Sequence, residues 1–167
     1  MEITIPHTKL LEALELVGRI STKHVTLPIL QCVLLEAKKD SITIQATNLE
    51  ISIELPIEGK VVEEGVVAVP AQTFLQSIQF INQPEITLRT EDQVLQLETK
   101  SSNTSIKIFP TDEFPTLHRL EGEESKLQGQ TFSFGIKSVA FAASQTSIKP
   151  ELGSVFVQQK KEHTLTF

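Results

Sequence analysis

Hydrophobic and polar positions along this chain keep two different beats, and the beat changes at two prolines. Ile3-Thr4-Ile5 leads to Pro6, and Val67-Ala68-Val69 leads to Pro70, each alternating apolar with small or polar residues. That is the period of a half-buried strand. Beyond each proline the apolar residues fall at i, i+1 and i+4 (Leu10, Leu11, Leu14; Phe74, Leu75, Ile78), one face of a helix. Proline is harmless at the switch, because the first N–H groups of a helix have no intrahelical acceptor. The two stretches lie 64 positions apart without a gap. A strand–proline–helix unit therefore occurs twice.

The segments after each unit also match. After the first helix, about His7 to Gly18, comes a polar connection from Arg19 to His24. Thr26-Leu27-Pro28-Ile29-Leu30 then leads into an apolar strand ending near Ala37, and Lys38-Lys39-Asp40 is a turn by composition. Ser41 to Ala46 alternates, and Ile51 to Leu55 alternates until Pro56 stops it. After the second helix, Ala71 to about Ile81, come three alternating segments: Glu85 to Arg89, Val94 to Glu98 and Ser105 to Phe109. Asn82-Gln83-Pro84, Glu91-Asp92 and Lys100 to Asn103 supply the turns. The pattern predicts an α+β fold, a tandem βαβββ duplication over residues 1 to about 117, with two helices packed on antiparallel sheets. Alternation gives each sheet one wet and one dry face. Both helices then lie on the dry side over one core, with Leu10, Leu14, Val17, Phe74, Ile78 and Ile81 inward. Lys9, Glu12, Glu15, Arg19, Gln72, Gln76 and Gln79 point outward.

Phe109-Pro110 to Leu117 reads as a turn anchored by Phe109 and Phe114, and Glu121 to Gln130 as a polar linker. The pattern then restarts. Thr131 to Phe134 is strand-like, Ile136 to Ser144 helical, and Lys149-Pro150-Glu151-Leu152 enters another strand, 122 positions after its counterpart at Leu27-Pro28. This third copy lacks about seven residues of helix, and the chain stops at Phe167 in mid-strand. The expected organisation is a first domain over 1–120, a linker over 121–130 and the truncated start of a second, similar domain over 131–167. So short a piece cannot build its own core, and the expectation is the N-terminal fragment of a longer protein.

Composition narrows the chemistry. A net charge of −6 argues against broad, tight nucleic-acid affinity, which needs many phosphate contacts. It leaves room for a local basic surface. Trp and Tyr are absent, so stacking platforms for single strands are poorly supported. No run of about 18 apolar residues occurs, and the opening Met-Glu-Ile-Thr-Ile lacks a signal-peptide pattern. A cytoplasmic protein without a membrane span is expected. The lone Cys32 sits in an apolar strand with no Lys, Arg or His within four residues, and reads as a buried structural thiol. Histidines 7, 24, 118 and 163 have no metal-ligand spacing, and no glycine-rich phosphate loop is present. No nucleophile with a neighbouring base is nominated, and Asp112-Glu113 reads as a solvated turn between prolines. The expectation is a non-enzyme with no metal, no cofactor and no catalytic residues. Lys23 and His24, and Lys149, precede the two strand-entry motifs; they read as loop charge or as phosphate contacts along one surface.

Several strings resemble the bacterial replicative sliding clamp, the beta subunit of DNA polymerase III. They are Thr26-Leu27-Pro28-Ile29-Leu30, Ala46-Thr47-Asn48-Leu49-Glu50, Val69-Pro70-Ala71, Asp112-Glu113-Phe114-Pro115-Thr116-Leu117 and Phe141-Ala142-Ala143-Ser144. Together, in order, they span nearly the whole chain. The resemblance implies a three-domain subunit, of which this chain matches the first domain and about a third of the second. Two such subunits close into a homodimeric ring, with sheets outside and helices around duplex DNA, tethering the polymerase for processivity in DNA replication. It implies DNA contacts at Arg19, Lys23, His24, Lys137 and Lys149, and a subunit interface at Asn103, Thr104 and Ile106. The pocket for DNA polymerase III and clamp-loader peptides falls in regions missing here. Two departures stand out: the outward helix faces are weakly basic, and Thr104 stands where some members carry an aromatic. The competing reading is a stand-alone β-rich interaction module that pairs through exposed sheet edges.

Overall fold

The computed structural model describes residues 1–21, 27–100, 102–117, 126–144, 149–161 and 164–167. It divides into two compact units, Met1–His118 and Arg119–Phe167. The first begins with strand β1 (Glu2–Pro6) and helix α1 (His7–Val17). A 3-10 turn (Pro28–Gln31) precedes β2 (Cys32–Lys38), after which come β3 (Ser41–Thr47), β4 (Ser52–Ile57) and β5 (Lys60–Glu63). The second copy runs through β6 (Gly65–Pro70), α2 (Ala71–Gln79), β7 (Glu85–Glu91), β8 (Val94–Glu98) and β9 (Asn103–Lys107). Both leading strands end on their proline, and each helix starts at the next residue.

The two copies exchange their leading strands. One sheet has the order β4-β3-β2-β6 and the other β5-β1-β7-β8-β9. Thus β6, from the second copy, completes the first copy's sheet, with Val33 opposite Val69 and Leu35 opposite Val67. Equally β1, from the first copy, completes the second copy's sheet, with Ile3 opposite Leu88 and Ile5 opposite Ile86. All of these pairings are antiparallel.

The inward positions of both sheets and both helices form a single core. Ile3, Ile5, Val33, Leu35, Ile42, Ile44, Ile86, Leu88, Leu95 and Leu97 meet Leu10, Leu14, Val17, Phe74 and Ile78 there. A smaller cluster on the other face of the four-stranded sheet joins Ile29, Leu30, Cys32 and Ala68 to Phe114, with Phe109 beside it. The Phe109 N–H donates to the Ala68 carbonyl at 2.9 Å, so the segment after β9 bridges to the edge of β6 before Phe114 packs on that face. Burial pushes the Cys32 thiol up to about 11, as expected for an enclosed structural thiol.

The structure differs from the sequence expectation at four places. Strand β5 has no counterpart in the sequence pattern; it adds to the edge of β1. Pro56 does not end β4, which continues to Ile57. As the outermost strand, β4 has a side with no partner N–H to satisfy, so a proline is tolerated there. Gly59 lets the chain cross from β4 to β5: a Cβ there would sit 2.8 Å from both the Thr4 carbonyl oxygen and Ile42 Cδ1. The Pro28 motif is a 3-10 turn before it is a strand.

The fourth difference lies in the second unit, where Thr131 to Phe134 is helical rather than extended. Helix α3 (Gly129–Val139) takes it in and gives way to a 3-10 turn at Ala140–Ala142. Phe132, Ile136 and Val139, all partly buried, repeat at i, i+4 and i+7, and that period prevails over a four-residue alternation. Pro150–Gly153 is again a 3-10 turn, matching Pro28–Gln31, and β10 (Gln158–Lys161) pairs with β11 (Thr164–Thr166). Phe132 and Phe167 lie with ring centroids 5.8 Å apart, and a Cβ at Gly135 would overlap the Phe167 ring. Gly129 and Gln130, expected in the linker, belong to α3.

Candidate nucleic-acid interface

The two helices present one surface. His7 at the start of α1 donates its backbone N–H to the Pro84 carbonyl at 2.9 Å, and its Nε2 lies 3.1 Å from the Ile78 carbonyl at the end of α2. The start of one helix is thereby held against the end of the other. With Leu10, Ala13, Leu14, Val17, Phe74 and Ile78 buried, the opposite faces expose Thr8, Lys9, Glu12, Glu15 and Leu16, and Gln72, Thr73, Gln76 and Gln79. Arg19 comes next in an exposed turn, its N–H donating to the Leu16 carbonyl at 3.3 Å. The face thus carries two basic residues, Lys9 and Arg19, against Glu12 and Glu15. It is charge-balanced, not basic.

Lys23 and His24 lie outside the described residues. Lys137 is exposed in the last turn of α3, and Lys149 is exposed immediately before the Pro150–Gly153 turn, where its carbonyl accepts the Leu152 N–H at 3.0 Å. Arg19 belongs to the first unit and Lys137 and Lys149 to the second.

At the expected subunit interface, β9 is an edge strand of the five-stranded sheet. Asn103 and Thr104 are exposed, whereas Ile106 is only 3% exposed and faces Leu95 within the core. Its side chain is committed to packing, so this position offers a neighbouring strand its backbone alone. The open edge is otherwise polar, with Ser105 donating to Gln96 at 2.7 Å.

A charged group that sequence reasoning missed lies on the outer face of the five-stranded sheet. Arg89 on β7 reaches Glu2 on β1 at 3.2 Å, Glu98 on β8 at 3.9 Å and Glu91 at 4.0 Å. Its guanidinium is held above its ordinary value by the hydrogen bond to Glu2, then by the charges of Glu2, Glu98 and Glu91. Only strand register gathers these residues, so no sequence spacing could have announced them. Among the described residues, no group of three or more His, Cys, Asp or Glu could hold a metal ion, and no helix is long and apolar enough to cross a membrane.

Comparison with known proteins adds the family context. The family described as DNA polymerase III beta subunit, N-terminal domain, matches residues 1–118. Among curated relatives, the beta sliding clamp of Pseudomonas aeruginosa is 27% identical over 170 residues, covering 95% of this chain and 44% of the relative. The beta sliding clamp homolog GriR of Streptomyces muensis is 24% identical, covering 94% of this chain and 42% of the relative. The crystal structure of the Pseudomonas aeruginosa DNA polymerase III beta subunit superposes with a TM-score of 0.81 at 26% identity, over 91% of this chain and 42% of that one. Caulobacter crescentus pol III beta does so at 0.87 and 24% identity, over 97% and 44%. The chain spans less than half the length of each of these proteins.

Proposed function

Because the chain belongs to the family of the DNA polymerase III beta subunit N-terminal domain, we propose that it forms the first part of a ring-shaped DNA sliding clamp. In that reading, two clamp-length subunits close around duplex DNA and slide, tethering the replicative polymerase. The observation that carries it is the family match over residues 1–118, which covers both copies of the duplication, both helices and both sheets. The reading also takes the second unit as the opening of a second clamp-like domain, joined by a linker around 121–130.

The mechanism is topological rather than catalytic. A closed ring cannot leave a closed DNA circle, so retention requires no tight contact, and a net charge of −6 is compatible with it. Arg19, Lys23, His24, Lys137 and Lys149 are the side chains proposed to touch phosphates, each a weak, salt-screened contact. The edge of β9 at Asn103 and Thr104 is proposed to meet the neighbouring subunit by strand pairing. No step in this role makes or breaks a covalent bond, so we class the protein as a non-enzyme, without metal or cofactor. We place it in the cytoplasm beside the DNA it would encircle. Polymerase and clamp loader are proposed to dock on parts of a clamp that lie outside this chain. The stand-alone interaction module is not favoured by the family match.

The test uses the product of the gene encoding this sequence, loaded with its clamp loader and ATP on nicked circular DNA. Half the sample is then linearised and both halves are gel-filtered. Retention on circles with loss from linear DNA is the expected result. Equal retention on both would refute the ring.

A further inference from the structure

The two copies differ most tellingly on the exposed helix face. At the 64-residue spacing of the repeat, Glu12 corresponds to Gln76 and Glu15 to Gln79. All four are exposed, on the side of α1 and α2 away from the core. One copy therefore presents carboxylates where the other presents carboxamides of nearly identical shape. Packing does not require the difference, because the inward partners remain apolar in both copies: Leu10 and Phe74, Leu14 and Ile78. The consequence is electrostatic. Glu12 and Glu15 cancel Lys9 and Arg19, and nothing on α2 adds charge of either sign.

Resting on the clamp reading above, we infer that Glu12 and Glu15 are repulsive elements that face the DNA phosphates and keep the helix layer's grip on the duplex weak. A sliding surface gains from this arrangement. Each phosphate contact adds salt-sensitive affinity and so slows movement along the backbone, whereas a charge-balanced face leaves retention to the closure of the ring. The glutamines of α2 hydrogen-bond to water and to phosphate without a net attraction.

The isosteric double variant Glu12→Gln, Glu15→Gln gives α1 the residues that α2 already carries, so the fold has a precedent for it. The experiment measures binding of the whole 167-residue chain to a labelled duplex of about 24 base pairs by fluorescence anisotropy. It is run at about 0.05 M and about 0.3 M salt, where screening lengths are about 14 Å and about 5.5 Å. At low salt each neutralised carboxylate is expected to tighten binding by about two- to threefold, and at high salt the gain should vanish. The charge reversals Glu12→Lys, Glu15→Lys should exceed the neutralisations. The control is Glu36→Gln with Glu54→Gln, the same charge change on the sheet face that points away from the helices.

Equal tightening by the control pair would show a general net-charge effect and overturn the inference. So would silence of the helix variants while Lys137→Gln and Lys149→Gln weaken binding; DNA would then touch this chain elsewhere, and the clamp reading would stand. Silence of every variant, basic ones included, would also overturn the inference, while the clamp reading stands or falls on retention by circular against linear DNA.

Discussion

Two phenylalanines six residues apart provide a sharp test of how the helix layer is held. Phe74 is 0% exposed in the core, whereas Phe80, just beyond the end of α2, is 85% exposed. Phe74→Ala removes a ring enclosed by both helices and both sheets, a change that costs about 3–5 kcal/mol when the surroundings cannot collapse. Collapse is hindered here, because residues from both exchanged sheets already fill this core. An unfolding entropy of about 2.1 cal/mol/K per residue gives about 0.25 kcal/mol/K for a unit of this size, so the midpoint should fall by about 12–20 °C. Phe80→Ala removes a ring that water already covers, and should change stability by less than about 0.5 kcal/mol. The chain contains no Trp or Tyr, so thermal unfolding is best tracked by far-ultraviolet circular dichroism. A Phe74→Ala loss under about 1 kcal/mol, or equal losses at the two sites, would refute the account of a single shared core.

Three further outcomes are expected from the same geometry. Cys32, with its thiol raised to about 11 by burial, should resist alkylation at pH 8 until the chain unfolds. Because the unfolded thiol ionises first, the stability this group contributes is present below about pH 9 and is lost as pH rises toward about 11; Cys32→Ala should flatten that slope in pH-dependent urea melts. Gly59→Ala should destabilise by about 1–3 kcal/mol, since the added Cβ meets the Thr4 backbone and overpacking outweighs the gain of less than about 1 kcal/mol from a stiffer unfolded chain; a stabilised variant would contradict the close approach. Arg89→Ala should lower stability only slightly at low salt, with the difference shrinking in about 0.5 M salt; a large, salt-independent loss would mean Arg89 supports packing rather than charge.

The faces of α1 and α2 were legible in the sequence because period and burial agree over two full copies. Every residue expected outward, Lys9, Glu12, Glu15, Arg19, Gln72, Gln76 and Gln79, is exposed. Strand β5 was not legible, since only Val61 of its four residues is even partly buried and alternation needs two inward positions to show. Helix α3 escapes a sequence reading because Thr131-Phe132-Ser133-Phe134 satisfies a period of two as well as it does one helical turn. The burial of Ile106 was implicit in the alternation of β9. The Arg89 group and the strand exchange share one cause of illegibility: periodicity tells which way a side chain points, not which strand lies beside it.

That exchange decides what kind of object the helix layer is. Neither copy owns a complete sheet: β1 lies between β5 and β7, and β6 closes the sheet of β2. Each helix continues directly from an exchanged strand, so exchanging the strands also carries α1 over to the end of α2, where His7 meets Ile78 and Pro84. The exposed helix face is therefore a product of both copies, and neither could present it alone. Core positions in the two copies are tied together by one packing problem, and the large ones, Leu10 and Phe74, Leu14 and Ile78, remain apolar on both sides of the repeat. Outward positions answer only to what they face. The copies part at these outward positions, with Glu12 and Glu15 against Gln76 and Gln79 and with Lys9 and Arg19 against Thr73 and Gln83, and in a fold built by duplication such charge differences point to the surface's external partner.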